Sequence, residues 1–294
     1  MRSSQYLYLD GETFVNSLAV HDVFYNKFSF NDATDFCTYP TTMRVHPAEV
    51  AMKIDIDEND TSVLYHLNQN GFRCDDFKTN HEDTHILFAG CSETEGVGGN
   101  LDSCWAHMLY EDLSKHNKLS GYFNIAKSGF GWQKIISNCL IYFDQVGIPD
   151  YLFVMLPDVN RFFRWEKEIQ SWTYIQNYDL DFEIHQQKMI DFIVSWKLFV
   201  KFCKEKNIEL LFATWQQLNV PYINHCNFNN FIEIEYSNEA IEDLIDKKLF
   251  KNDNKKEIFF SKRDGHQGYG KHFMWKDAFL NTIGEKKYEN LAIS

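Results

Sequence analysis

The sequence has no apolar run approaching the roughly 18 residues that a membrane-crossing helix needs. Its first residues, Met-Arg-Ser-Ser-Gln-Tyr, lack the apolar core of a secretory leader. The expectation is a cytoplasmic chain with no membrane partner. A basic stripe is missing too, with 29 Lys and Arg against 42 Asp and Glu and a formal net charge of -13. Nucleic acid is bound by Lys and Arg that displace phosphate counterions, so it is not an expected partner. The seven cysteines, an odd count at positions 37, 74, 91, 104, 139, 203 and 226, include no Cys-x-x-Cys pair. Free thiols in a reducing compartment account for that usage.

Two metal patterns fail on inspection. Asp55, Asp57 and Asn59 begin like a calcium loop, but Asp60 stands where that loop needs Gly and His66 where it needs a bidentate Glu. His81-Glu82-Asp83-Thr84-His85 spells the zinc-protease pattern, which requires a helix to bring both imidazoles to one face. Here it abuts an apolar strand, and Phe88 stands where the longer metzincin form wants Gly. No metal and no cofactor is expected.

What is present is a chain of 294 residues, 44% hydrophobic and 24% charged, enough for one large core or two small ones. Its most informative stretch runs from Thr84 to Gly96. Residues 86–89 form a short apolar run ended by Gly90, as in a central strand of a parallel sheet. Small and polar residues follow at 91–96, and then Leu101, Trp105, Met108, Leu109 and Leu113 mark one face of a helix. Strand, tight turn and helix put Ser92 at the carboxyl end of the strand, where open α/β sheets hold ligands. Taken alone, Ser92 is either a helix cap or a nucleophile. Cys91 is a rival nucleophile, though its side chain should point into the packed side of the turn.

Residues 1–80 are aromatic-rich with Asp, Asn and Gly clusters, and read as a strand-rich extension with a turn at Asn70-Gly71. Residues 81–294 read as the main domain. A second strand is expected over residues 122–126, before Lys127-Ser128-Gly129. A helix carries Trp132, Ile135, Ile136, Cys139, Leu140 and Phe143 on one stripe. A third strand, residues 151–156, runs into Pro157-Asp158-Val159-Asn160-Arg161. Residues 162–186 show no clean period and read as a loop or short helices, whose aromatics could wall a pocket, pack a core or face a partner. Helix is expected over 187–206, strand over 208–214 and again over 231–236, and helix over 239–250.

Near the end, Arg263-Asp264-Gly265-His266-Gln267-Gly268-Tyr269-Gly270-Lys271-His272 precedes a helix through Trp275 and Phe279. Such a loop is either a Gly-rich turn with a cap or the carrier of a base and its orienting acid. Alternating strands and helices imply a parallel sheet in a three-layer α/β/α sandwich. Its loops should then converge on one edge. A nucleophile, amide donors and an Asp/His pair gathered there are the set that acyl transfer requires.

At these motifs the chain resembles the SGNH (GDSL-type) hydrolases over roughly residues 84–280. Gly90-Cys91-Ser92-Glu93-Thr94-Glu95-Gly96 is similar to the family's first block, with Cys in place of Asp. The stretch ending at Gly129 is similar to the second block, and Arg263-Asp264-Gly265-His266 to the last, with one residue between Asp and His where the family has two. Gly71-Phe72-Arg73 resembles a segment that precedes the first strand in a branch met in phage and bacterial genomes, which implies a virion-associated protein if the gene is a phage's. The resemblance implies a carboxylic ester hydrolase with Ser92 as nucleophile, His266 as base and Asp264 orienting it. The amides of Ser92 and Gly129 and the side chain of Asn160 would form the oxyanion hole, with His272, Asp158 and Arg161 in reserve. The substrate class leans to O-acetylated carbohydrate. The alternative is a structural or carbohydrate-binding protein that keeps the fold and has lost the chemistry.

Overall fold

The computed structural model describes residues 42–43, 62–79, 81–159, 161–166, 171–176, 182–234, 258–260 and 266–292. Its strands are β1 (Thr42–Met43), β2 (Tyr65–His66), β3 (Ile86–Ala89), β4 (Phe123–Asn124), β5 (Tyr151–Leu156), β6 (Arg161–Glu166), β7 (Ser171–Gln176) and β8 (Glu209–Thr214). Its helices are α1 (Ser92–Glu95), α2 (Trp105–Ser114), α3 (Trp132–Gln145), α4 (Phe182–Glu205), α5 (Val220–His225) and α6 (Tyr269–Ala292).

Four strands form one parallel sheet in the order β4-β3-β5-β8. Side chains alternate across a strand, and the apolar residues of this sheet divide between two cores accordingly. Ile86, Phe88, Phe153, Met155, Leu211 and Ala213 pack with Trp105 and Leu109 of α2 and Trp275 and Phe279 of α6. Leu87, Ala89, Leu152, Val154, Leu156, Leu210 and Phe212 face the other way, onto Ile135, Cys139 and Tyr142 of α3 and Phe192 and Trp196 of α4. Both faces are covered, which is why β3, β5 and β8 read as unbroken apolar runs. The result is the expected three-layer α/β/α sandwich.

The strand order places the first and third strands of the sheet side by side, with the second outside the first. In such a sheet the connections after β3 and β5 leave toward opposite faces and open a crevice at their carboxyl ends. Ser92 follows β3 and Asp158 follows β5, so both border that crevice.

Several elements differ from the sequence reading. Strands β6 and β7 pair antiparallel, with Phe163 opposite Tyr174 and Trp165 opposite Trp172 in register. Aromatic, Thr and Ile residues favour strands, but apolar residues at consecutive positions hid the period of two. Helix α4 begins at Phe182, before the expected 187. Of the strand expected over 231–236, the described residues 231–234 show one parallel bridge, between Phe231 and Phe212, and residues 235–236 and the helix expected over 239–250 lie outside the described residues. Asn70-Gly71 does form a turn, closed by Asn68 N–H on the Phe72 carbonyl (2.7 Å) with Gly71 at φ 81°. The flanking β2 pairs instead with β1. Residues 81–85 form bends and a single bridge at Thr84 rather than a helix, and the His81 and His85 rings stack 3.6 Å apart. Among the described residues no helix is long and apolar enough to cross a membrane.

Candidate active site

The turn between β3 and α1 is shaped by Gly90. A Cβ there would lie 2.1 Å from Thr94 Oγ1 and 3.0 Å from the Met155 carbonyl, so only glycine lets β3 turn this closely beside β5. Cys91 caps α1 and buries its side chain in the α3/α4 core, leaving Ser92 as the first helical residue at the crevice. Ser92 is only 4% exposed, yet no hydrogen bond engages its hydroxyl among the described residues. The Cys91 side chain thus points into the packed side of the turn.

The turn is braced from three sides. Asn124 of β4 donates to the Thr94 carbonyl at 2.8 Å, and the Trp105 indole N–H donates to Thr94 Oγ1 at 3.3 Å. The Cys104 thiol, pushed up to about 11 by burial, donates to the Thr94 carbonyl at 3.3 Å. Arg73, itself buried, donates from its guanidinium to the carbonyls of Gly96, Gly99 (3.0 Å), Leu64 (3.2 Å) and Glu95 (3.4 Å). Hydrogen bonds from a charged donor contribute about 1.5–3 kcal/mol each. The Arg73 guanidinium also lies over the Tyr65 ring, 4.6 Å from its centre, while the Tyr65 hydroxyl accepts the Gly98 N–H at 2.8 Å.

Glu95 joins the serine turn to the loop of Gly129. Its buried carboxylate pairs with Lys127 Nζ at 2.8 Å and accepts the Ser128 N–H. Gly129 follows at φ 82°, a left-handed conformation that glycine adopts without strain. The two loops expected to carry amide donors are thus held together by one carboxylate.

On the β5 side, Asp158 is buried and takes a 3.5 Å contact from Gln216 Nε2, and its carbonyl accepts the Arg161 N–H. The Arg161 guanidinium lies over the Trp215 ring, 5.2 Å from its centre, which turns it towards the loop after β8. Asn160 and Asp264 lie outside the described residues. His266 is half-buried just ahead of α6, close enough to His272 for a like-charge influence on that imidazole.

His272, on the first turn of α6, is buried beside the serine turn. Its Nδ1 accepts the Trp105 main-chain N–H at 3.2 Å, and its Nε2 stands 3.7 Å from Glu93 Oε2. Accepting on Nδ1 leaves the proton of the neutral ring on Nε2, facing Glu93. Burial, reinforced by His266, pushes its pKa down to about 3. Nδ1 is thereby engaged, and Nε2 faces the Glu93 carboxylate.

The sequence reading missed Glu93, Glu95 and Lys127 as parts of this assembly, and noted Arg73 only through a resemblance. The available signal was three charged residues inside stretches otherwise small or apolar, which in a buried turn must find partners. A cavity of about 60 Å³ lined by Thr84, Ile86, Tyr151 and Phe153 lies at the opposite, amino-terminal ends of β3 and β5 and takes no part. Among the described residues no group of three or more His, Cys, Asp or Glu gathers as metal ligands.

No family model and no curated protein matches the chain. Among solved structures it is similar to a protein described as lipolytic, of the G-D-S-L family, from Desulfitobacterium hafniense DCB-2 (13% identity, TM-score 0.40, covering 66% of this chain and 97% of that one). It is also similar to the psychrotrophic esterase EstA from Pseudoalteromonas sp. (12% identity, TM-score 0.40, 70% and 98% covered). A third likeness is to a Bacillus subtilis protein (10% identity, TM-score 0.44, 76% and 60% covered).

Proposed function

We propose that this chain is a serine ester hydrolase of SGNH type that works through an acyl-enzyme on Ser92. The observation that carries the reading is the place of Ser92: the first residue of a helix at the carboxyl end of β3, on the crevice beside β5, with an unengaged hydroxyl.

In this reading His266 accepts the hydroxyl proton as Ser92 Oγ bonds to the ester carbonyl carbon, and Asp264 holds the imidazole and balances its charge. The oxyanion is received by the main-chain N–H groups of Ser92 and Gly129 and by the Asn160 side chain. Loss of one such donor raises the barrier by about 3–4 kcal/mol. The carbon–oxygen bond to the alcohol then breaks, and His266 returns its proton to that alcohol. Water attacks the acyl-enzyme by the same route, releasing the acid and restoring Ser92. Asp158 and Arg161 are reserves for the oxyanion position, and His272 is the reserve base. An O-acetyl group on a carbohydrate is the substrate class proposed, because the chain supplies aromatic residues around β6 and β7 and no long apolar groove is legible for a lipid tail.

A fluorophosphonate probe tests this directly. Covalent labelling of Ser92, with p-nitrophenyl acetate hydrolysis lost in Ser92→Ala, is the expected result. Folded wild-type protein that neither labels nor hydrolyses would instead assign the chain to a binding role on the same fold.

A further inference from the structure

The segment ahead of the sheet contributes a charged side chain that reaches the candidate site through main-chain carbonyls. Resting on the hydrolase reading above, we propose that Arg73 is a positioning residue for the Ser92 turn, and that residues 62–79 are therefore part of the active-site architecture rather than an appendage.

The geometry is specific. Arg73 Nη1 donates to the carbonyls of Gly96 and Glu95, and Nη2 to those of Gly99 and Leu64. Three of these four acceptors lie on the turn just after Ser92. Gly96 is left-handed (φ 78°, ψ 41°), and its N–H donates to the Ser92 carbonyl at 2.9 Å. A Cβ on Gly96 would lie 3.1 Å from Arg73 Nη1, closer than ordinary contact, so a side chain there would press on the guanidinium. Arg73 is 1% exposed, and among the described residues its guanidinium donates to main-chain carbonyls.

The consequence is directional. Peptide carbonyls at the carboxyl end of a short helix point one way and the free N–H groups at its amino end point the other. By holding the carbonyls of Glu95 and Gly96, Arg73 fixes the orientation of the peptide units whose opposite end presents the Ser92 N–H and hydroxyl to the crevice. A cation at the carboxyl end also complements the helix dipole. Lysine could supply the charge, but a single ammonium cannot reproduce a planar fork that reaches carbonyls on both sides of the turn.

The test uses Arg73→Lys and Arg73→Ala in the full chain, with three readouts. One is steady-state hydrolysis of p-nitrophenyl acetate, the second the rate of fluorophosphonate labelling, and the third amide hydrogen exchange over residues 90–100. Arg73→Lys is expected to lose about 10–100-fold in kcat and in labelling rate with KM unchanged, since misplacement of reacting groups by about 1 Å carries a penalty of that size. Exchange over 90–100 should quicken while the β5 and β8 amides stay protected. In Arg73→Ala, millimolar guanidinium should restore at least about tenfold of the lost rate, and ammonium should not. Rates within twofold of wild type in both variants, or unchanged exchange over 90–100 in folded Arg73→Lys, would overturn the assignment. If Arg73→Ala does not fold, Arg73→Lys carries the test alone. Wild-type protein without turnover or labelling would remove the hydrolase reading, whereas the exchange measurement would still decide whether Arg73 holds the turn.

Discussion

The imidazole of His272 stands 3.7 Å from the carboxylate of Glu93, the residue directly after Ser92. Because its other nitrogen accepts the Trp105 N–H, this histidine joins α6, α2 and the serine turn in one buried junction. A ring committed in that way is a poor shuttle for the Ser92 proton. His266→Ala is therefore expected to lower kcat/KM for an aryl acetate by at least about 100-fold and by more than His272→Ala does. His272→Ala should instead show the larger drop in melting temperature. The reverse ranking in activity would move the base to His272.

Glu95 and Lys127 make the most buried ion pair at the site, with side chains 0% and 8% exposed. Removing one partner strands the other charge, so Lys127→Met should destabilise the fold by about 3–5 kcal/mol in urea titration. The double variant Glu95→Gln/Lys127→Met should recover much of that stability yet remain slow, because it no longer holds the Ser128 N–H with a charged acceptor. Full activity in the double variant would dissociate Glu95 from the oxyanion loop.

Gly90 faces a hard steric limit on two sides, at Thr94 Oγ1 and at the Met155 carbonyl. Gly90→Ala should destabilise by about 1–3 kcal/mol, as overpacking does. Adding Thr94→Ala removes the nearer clash but not the main-chain one, so only partial recovery is expected in thermal melts.

Acid should weaken the fold earlier than its carboxylates alone require. Burial pushes His85 down to about 4 from an ordinary value of 6.5, with His81 stacked on it also lowered by burial, and His272 goes down to about 3. These rings stay neutral in the folded chain while their unfolded counterparts take up protons below about 6.5. Their contribution is thus complete above pH 6.5 and declines as the pH falls towards 4 and then 3. Urea midpoints measured between pH 7 and pH 4.5 should fall steadily, and His85→Gln should flatten that slope. A slope unchanged in the variant would exclude His85 as a cause.

The two halves of the sequence reading differ in outcome for identifiable reasons. Strands β3, β5 and β8 were legible because burial on both faces demands unbroken apolar runs of four to six residues. Helix α3 was legible because its stripe faces a single core. The β6–β7 pair was not, since its aromatic residues occupy neighbouring positions and the sequence between the strands holds no turn dipeptide such as Asn-Gly.

By itself the chain determined a parallel α/β sandwich, and it determined that a serine among small and polar residues would stand at the end of a central strand, because those outcomes follow from periodicity and turn chemistry within a dozen residues. Tertiary structure alone decided which strand borders β3 in the sheet, that Arg73 reaches carbonyls 22 to 26 residues onward, and that His272 meets a main-chain N–H 167 residues away. Such partnerships are made when distant segments close on one another and must satisfy every polar group they bury, a requirement on the whole fold that no local pattern records.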